Sequence, residues 1–198
     1  MTNSRMDAKF DHAPDDLWVF GYGSLMWRPG FEFVGRVPAR VIGLHRSLCV
    51  YSVGHRGTPE KPGLVLGLDR GGACRGIAYR VAAKHRAATL SYLRDRELMA
   101  GIYVYLETVR TVWLHANPER SIQALCYVVD RSHPQYAGRL KLEQQLHHVR
   151  QGHGKSGSNR DYVLDTVAAL EALGVRDRDL HLLAERLKGT HAAHAERT

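Results

Sequence analysis

The chain has 198 residues, 44% of them apolar, enough to bury a core as one domain of ordinary size and too few for two full domains. No stretch approaches the roughly 20 uninterrupted apolar residues of a membrane helix, and the opening MTNSRMDAKFDHAPDD lacks the apolar centre of a signal peptide, so a cytoplasmic protein with no membrane partner is expected. The net charge of +8 is scattered rather than packed into basic runs, which favours a small anionic partner over nucleic acid or a membrane surface.

Residues 1–16 read as a flexible polar lead, 17–188 as a single folded domain and 189–198 as a frayed tail. Leu17 to Tyr22 is a short apolar and aromatic run ended by Gly23, predicting a buried strand that passes straight into a tight loop. Alternating segments at Arg40–Tyr51, Gly63–Asp69 and Arg75–Val81 predict further strands, separated by turns at Arg56-Gly57-Thr58-Pro59 and Arg70-Gly71-Gly72. From Lys84 to Leu98 the period changes: Ala87, Leu90, Leu93 and Glu97 recur at helical spacing. Strand character returns at Val104–Leu114 and Ile122–Asp130. Three helices are predicted to close the chain, near Leu140–Arg150, Arg160–Leu173 and Asp177–Leu187, with Ser158 or Asn159 capping the second and Gly174 ending it. This sheet-then-helix order defines an α+β protein.

Cys49, Cys74 and Cys126 are odd in number and show no C-x-x-C spacing, which points to a reducing compartment rather than to disulfides or a zinc knuckle. The twelve histidines form no helical i, i+4 pair with a carboxylate, so neither a metal nor a cofactor is expected.

Four segments could carry chemistry. In Phe20-Gly21-Tyr22-Gly23-Ser24-Leu25 two glycines and a serine follow a strand, so amides can approach a ligand closely and form an anion cradle. It is no dinucleotide fingerprint, because Met26 takes the third glycine position, and no nucleophile elbow, which needs glycine at Tyr22 and Met26. A plain strand exit has the same composition. Glu97 shares a helical face with Leu90 and Leu93. A carboxylate there is either paired, with Arg94, Arg96 or a distant base, or raised in pKa by burial and suited to moving protons. Gly152 to Asn159 falls short of a phosphate-binding P-loop, since Val149 stands where its first glycine belongs and a helix precedes it; Lys155 and the amides there remain candidates for holding an anion. His55 to Gly63, with two prolines and two glycines, is an ordered connection or a stiff binding loop.

Taken together and in order, these segments resemble the ChaC-like glutathione-specific γ-glutamylcyclotransferases from about Leu17 to about Leu187. The resemblance is carried by Trp18-Val19-Phe20-Gly21-Tyr22-Gly23-Ser24-Leu25-Met26-Trp27, His55-Arg56-Gly57-Thr58-Pro59 and Pro62-Gly63-Leu64. It continues through Cys74-Arg75-Gly76, Tyr92-Leu93-Arg94-Asp95-Arg96-Glu97, Tyr136-Ala137-Gly138 and Gly154-Lys155-Ser156-Gly157-Ser158-Asn159. It implies a γ-glutamylcyclotransferase-like fold, a mixed β-barrel or sheet flanked by helices. It also implies a γ-glutamyl group held by Val19 to Ser24 and Leu25, and Glu97 as catalytic base. The step from Glu97 to Tyr103 looks like that of bacterial-type members, with Tyr103 a substrate contact. The substrate implied is glutathione, converted to 5-oxoproline and Cys-Gly. Arg56 and Lys155 are read as attracting its glycine carboxylate. Three other readings stand beside this one: a cyclotransferase of the same fold acting on other γ-glutamyl compounds, a basic nucleic-acid or anion-binding module, and a non-catalytic regulator of cation transport. The oligomeric state is not legible.

Overall fold

The computed structural model describes residues 16–97, 104–115 and 120–195, with the backbone alone for Glu97 and residues 190–195. In chain order the strands and helices are β1 (Leu17–Gly21), β2 (Gly35–Ser52), β3 (Gly63–Val81), α1 (Arg86–Glu97), β4 (Tyr105–Leu114) and β5 (Ser121–Val129). There follow α2 (Leu142–Gln151), a minimal hairpin β6 (His153–Gly154) and β7 (Gly157–Ser158), α3 (Asn159–Ala172) and α4 (Arg178–Ala195). Five strands close a barrel in the order β1-β3-β2-β4-β5. β1 runs antiparallel to β3, Leu17 opposite Val81 through Gly21 opposite Ile77, and parallel to β5 at Val19 and Leu125. The expected α+β class, a barrel with helices, is the one observed.

The chain forms two compact units, Met1–Arg46 with Leu68–His133 and Ser47–Gly67 with Pro134–Thr198. In the first, Val19, Phe20, Tyr79 and Leu125 of the strands and Leu93 of α1 are completely buried; the neighbours Val19 and Phe20 project to opposite faces of β1, so both faces of that strand are covered. In the second, Val149, Val163, Leu170 and Leu183 of the three helices make the apolar core, with Leu64 of β3 buried as fully.

Three local expectations need correction. Arg70-Gly71-Gly72 is not a turn between strands: β3 runs through it unbroken, with Gly71 and Gly72 at φ +100 and +68. Two consecutive left-handed glycines bend a strand without ending it, which composition alone does not separate from a turn. β2 begins at Gly35, not Arg40, because Pro38 needs only to accept, and its carbonyl takes the His115 amide at 2.8 Å. On α1 the buried stripe is Arg86, Thr89, Leu90 and Leu93, while Ala87 is exposed; the i, i+3, i+4, i+7 pattern starts one residue earlier than expected, on a polar residue. The predicted caps are present: the Ser158 side chain accepts from the Asp161 amide at 3.0 Å, and Gly174, at φ +62, ends α3. α4 continues beyond the expected end at Leu187 to Ala195.

Candidate active site

The segment leaving β1 lies in the first unit. Val19 and Phe20 have fully buried side chains, so the part that can meet a ligand begins at Gly21. A Cβ on Gly21 would stand 3.1 Å from the Leu25 Cβ and 3.2 Å from the Tyr79 ring, tighter than packed side chains normally allow, which is why this position takes glycine. After Gly23 the backbone winds into a single 3-10 turn, Ser24–Met26, closed by Met26 N–H to Gly23 C=O at 2.9 Å and Arg28 N–H to Ser24 C=O at 2.9 Å. The opening amides of such a turn, Ser24 and Leu25, have no acceptor within it and are the donors a ligand oxygen can use.

Side chains grip this turn by its carbonyls and hydroxyls. Arg46 Nε donates to Tyr22 C=O at 2.6 Å, and the Tyr22 hydroxyl donates to Tyr127 C=O at 3.0 Å. The Tyr79 hydroxyl donates to Leu25 C=O at 2.8 Å and Met26 C=O at 3.2 Å. Burial raises the Tyr79 pKa above the ordinary phenol value, against the opposing charge of Arg36, so this donor keeps its proton at neutral pH. Arg96 of α1 donates through Nη2 to Ser24 Oγ at 2.8 Å and through Nη1 to Arg28 C=O at 2.7 Å. The C-terminal end of α1 is thereby fastened to the glycine-rich turn, and Glu97 is the residue that ends α1. The expectation for the Glu97 side chain, and that for Tyr103, fall outside the described residues.

Sequence reasoning missed a second carboxylate in the same unit. The Glu107 side chain on β4 is only 7% exposed and accepts from Arg94 Nε at 3.0 Å and from the Tyr127 hydroxyl at 3.1 Å. The guanidinium and the phenol satisfy the hydrogen-bonding capacity of this buried carboxylate, which ties α1 to two barrel strands. The signal was present: strand alternation places Glu107 on the same inward face as Tyr105.

Arg56 and Lys155 belong to the second unit. There the His55–Gly63 loop and the β6–β7 hairpin meet backbone to backbone: Lys155 N–H donates to Gly54 C=O at 3.0 Å and Ser156 N–H to His55 C=O at 2.9 Å. Those two amides, expected to be available for an anion, are thus engaged. Arg56 Nη1 donates to Ser158 C=O at 3.0 Å with its guanidinium 5.4 Å over the Tyr162 ring, so it is an internal tie, whereas Lys155 is exposed. Asn159, fully buried, completes the joint by accepting from Leu64 N–H at 2.6 Å and donating to Leu64 C=O at 2.7 Å. The P-loop comparison is excluded by geometry as well as by spacing, because a helix and a two-residue strand precede this loop.

The closed barrel with helices is a fold shared with solved γ-glutamyl cyclotransferases. The crystal structure of the glutathione-specific enzyme from yeast superposes with a TM-score of 0.80 at 23% identity, over 88% of this chain and 96% of that one. The chain belongs to the ChaC-like family, whose model, described as ChaC-like protein, matches residues 17–189. It is 31% identical over 179 residues to the glutathione-specific gamma-glutamylcyclotransferase of Escherichia coli (strain K12), covering 88% of this chain and 75% of that protein. It is 33% identical over 185 residues to glutathione-specific gamma-glutamylcyclotransferase 1 of Homo sapiens, covering 92% of this chain and 82% of that protein.

Proposed function

We propose that the chain cleaves glutathione by closing its γ-glutamyl group to 5-oxoproline, releasing Cys-Gly, with Glu97 as the proton carrier. The observation that carries the reading is the bond from Arg96, in the last turn of α1, to the Ser24 hydroxyl, which links the helix that ends at Glu97 to the glycine-rich turn. The substrate brings its own nucleophile, the α-amine, and intramolecular attack on the γ-carbonyl supplies much of the entropic advantage of catalysis. An α-amine with a pKa of about 7.7 to 8.0 or higher is mostly ammonium at neutral pH and cannot attack. Two protons leave this nitrogen as the ammonium becomes a lactam N–H, and two reach the departing nitrogen as the amide N–H becomes the Cys-Gly ammonium; Glu97 accepts and returns them in turn, so the carboxylate is regenerated and no water is consumed. The amides of the turn hold the substrate carboxylate or support the oxyanion that develops on the γ-carbonyl.

In the second unit Lys155 and Arg56 are the proposed contacts for the glycine carboxylate, although Arg56 also holds Ser158. A double alanine variant should raise KM; an unchanged KM removes that part of the reading. A cytoplasmic location fits three cysteines that are all buried and outside any disulfide, and no helix among the described residues is long and apolar enough to cross a membrane. The direct test is incubation of the full chain with glutathione, followed by detection of 5-oxoproline and Cys-Gly in equal amounts. A chain that releases alanine from γ-glutamylalanine faster than Cys-Gly from glutathione would contradict the substrate assignment.

A further inference from the structure

Arg96 adjoins the proposed base in sequence and spreads its guanidinium over three separate pieces of chain. Nη2 reaches the Ser24 hydroxyl at 2.8 Å, and Nη1 reaches Arg28 C=O at 2.7 Å, Pro29 C=O at 3.3 Å and the Tyr92 hydroxyl at 2.8 Å. Tyr92 lies one helical turn back on α1, its ring 6.0 Å from the guanidinium carbon, so the helix itself aims the cation before the loop is met. The charge also sits in the last turn of a helix, where the macrodipole favours it. From the other side, Gly30 at φ +75 packs so closely that a Cβ would collide with the Tyr92 hydroxyl, holding Arg28–Gly30 against α1.

We propose that Arg96 is a positioning residue that fixes where residue 97 stands relative to the Ser24 turn, and that the Ser24 hydroxyl is the point through which it acts. The proposal rests on the reading of Glu97 as base. The bond from Arg96 to Ser24 crosses from the helix to the first residue of the turn whose amides face the substrate. Helix end and amide pair therefore form one body, and neither can drift without the other. Arg94, two residues earlier, bonds Glu107 on β4 and ties the helix to the barrel wall. A lysine cannot replace Arg96, because one ammonium nitrogen cannot span Ser24 and Arg28 together.

The test uses the full chain and four variants, Arg96→Ala, Arg96→Lys, Ser24→Ala and the Ser24→Ala/Arg96→Ala double, with thermal unfolding measured beside kcat and KM for glutathione. Misplacement by about 1 Å can cost on the order of 10²-fold, so Arg96→Ala is expected to lose about that factor in kcat while KM stays within about threefold. Arg96→Lys falls between this variant and the parent. Ser24→Ala lowers kcat in the parent background but adds little once Arg96 is gone, since the two changes break one connection. A parental kcat in folded Arg96→Ala, or losses from Ser24→Ala and Arg96→Ala that simply multiply, would overturn the proposal. Should Arg96→Ala fail to fold, Arg96→Lys carries the same test, and a parental kcat there overturns it equally. Glu97→Gln is assayed alongside: parental turnover by that variant removes the base assignment and this inference with it. An inactive Glu97→Gln beside a fully active Arg96→Ala removes only the role of Arg96.

Discussion

Two glycine-rich regions look alike in sequence and differ in how their backbone amides are used. The turn after β1 is held by side chains on its carbonyl and hydroxyl groups: Arg46, Tyr79 and Arg96 donate, and its first amides have no acceptor within the turn. The joint between the His55–Gly63 loop and the β6–β7 hairpin also has side-chain ties, Arg56 on Ser158 C=O among them, but adds backbone on backbone, with the Lys155 and Ser156 amides spent on Gly54 and His55 carbonyls. The first plan frees donors for a ligand, and the second consumes them for rigidity. Which carbonyls and amides are occupied, rather than glycine content, separates a binding turn from a structural one.

The largest expected effect separates the two plans by a methyl group. At Gly63 a Cβ would run into the Arg56 carbonyl and lie 2.7 Å from Asn159 Oδ1, neighbours that cannot move without opening the joint. At Gly21 the nearest atoms are side chains, the Leu25 Cβ at 3.1 Å and the Tyr79 ring at 3.2 Å, which can give. Gly63→Ala is therefore expected to cost at least the roughly 1–3 kcal/mol typical of overpacking, and Gly21→Ala less, by urea denaturation. Equal losses at both sites would remove the distinction. A middle-sized effect is expected from Tyr79→Phe, which deletes the hydroxyl bound to the Leu25 and Met26 carbonyls. About 0.5–1.5 kcal/mol of stability should go, together with part of kcat, because the turn loses one of its supports.

The smallest effect concerns Cys126, whose thiol burial pushes up from 9.0 to about 12. At neutral pH it should resist iodoacetamide in the native chain and react only after unfolding. The native state keeps a proton that the unfolded chain gives up, so this group's contribution is complete below about pH 9 and is lost as pH rises toward 12. Labelling of native Cys126 at the rate of an exposed thiol would contradict its burial.

Much of this was legible in the chain. Strand alternation and helical spacing located the barrel strands and the helices, because burial imposes its period directly on sequence. The Ser158 cap and the Gly174 stop were legible because their chemistry is local. Gly71-Gly72 misled because left-handed glycines serve bent strands and turns alike. The supports of the binding turn were not visible, since Arg46, Tyr79 and Arg96 lie 24, 54 and 72 positions from the groups they hold, and no local pattern encodes such a span. Glu97 could be singled out by its helical position, while its neighbours Arg94 and Arg96 gave no sign that one would bind a carboxylate on β4 and the other a serine hydroxyl.

The most direct measurement compares the parent chain with Glu97→Gln for release of 5-oxoproline from glutathione, with calorimetric binding of glutathione measured on both. Loss of at least about 10²-fold in turnover with binding retained is expected if this carboxylate carries the proton. Turnover near that of the parent in the glutamine variant would show that the proton travels by another group.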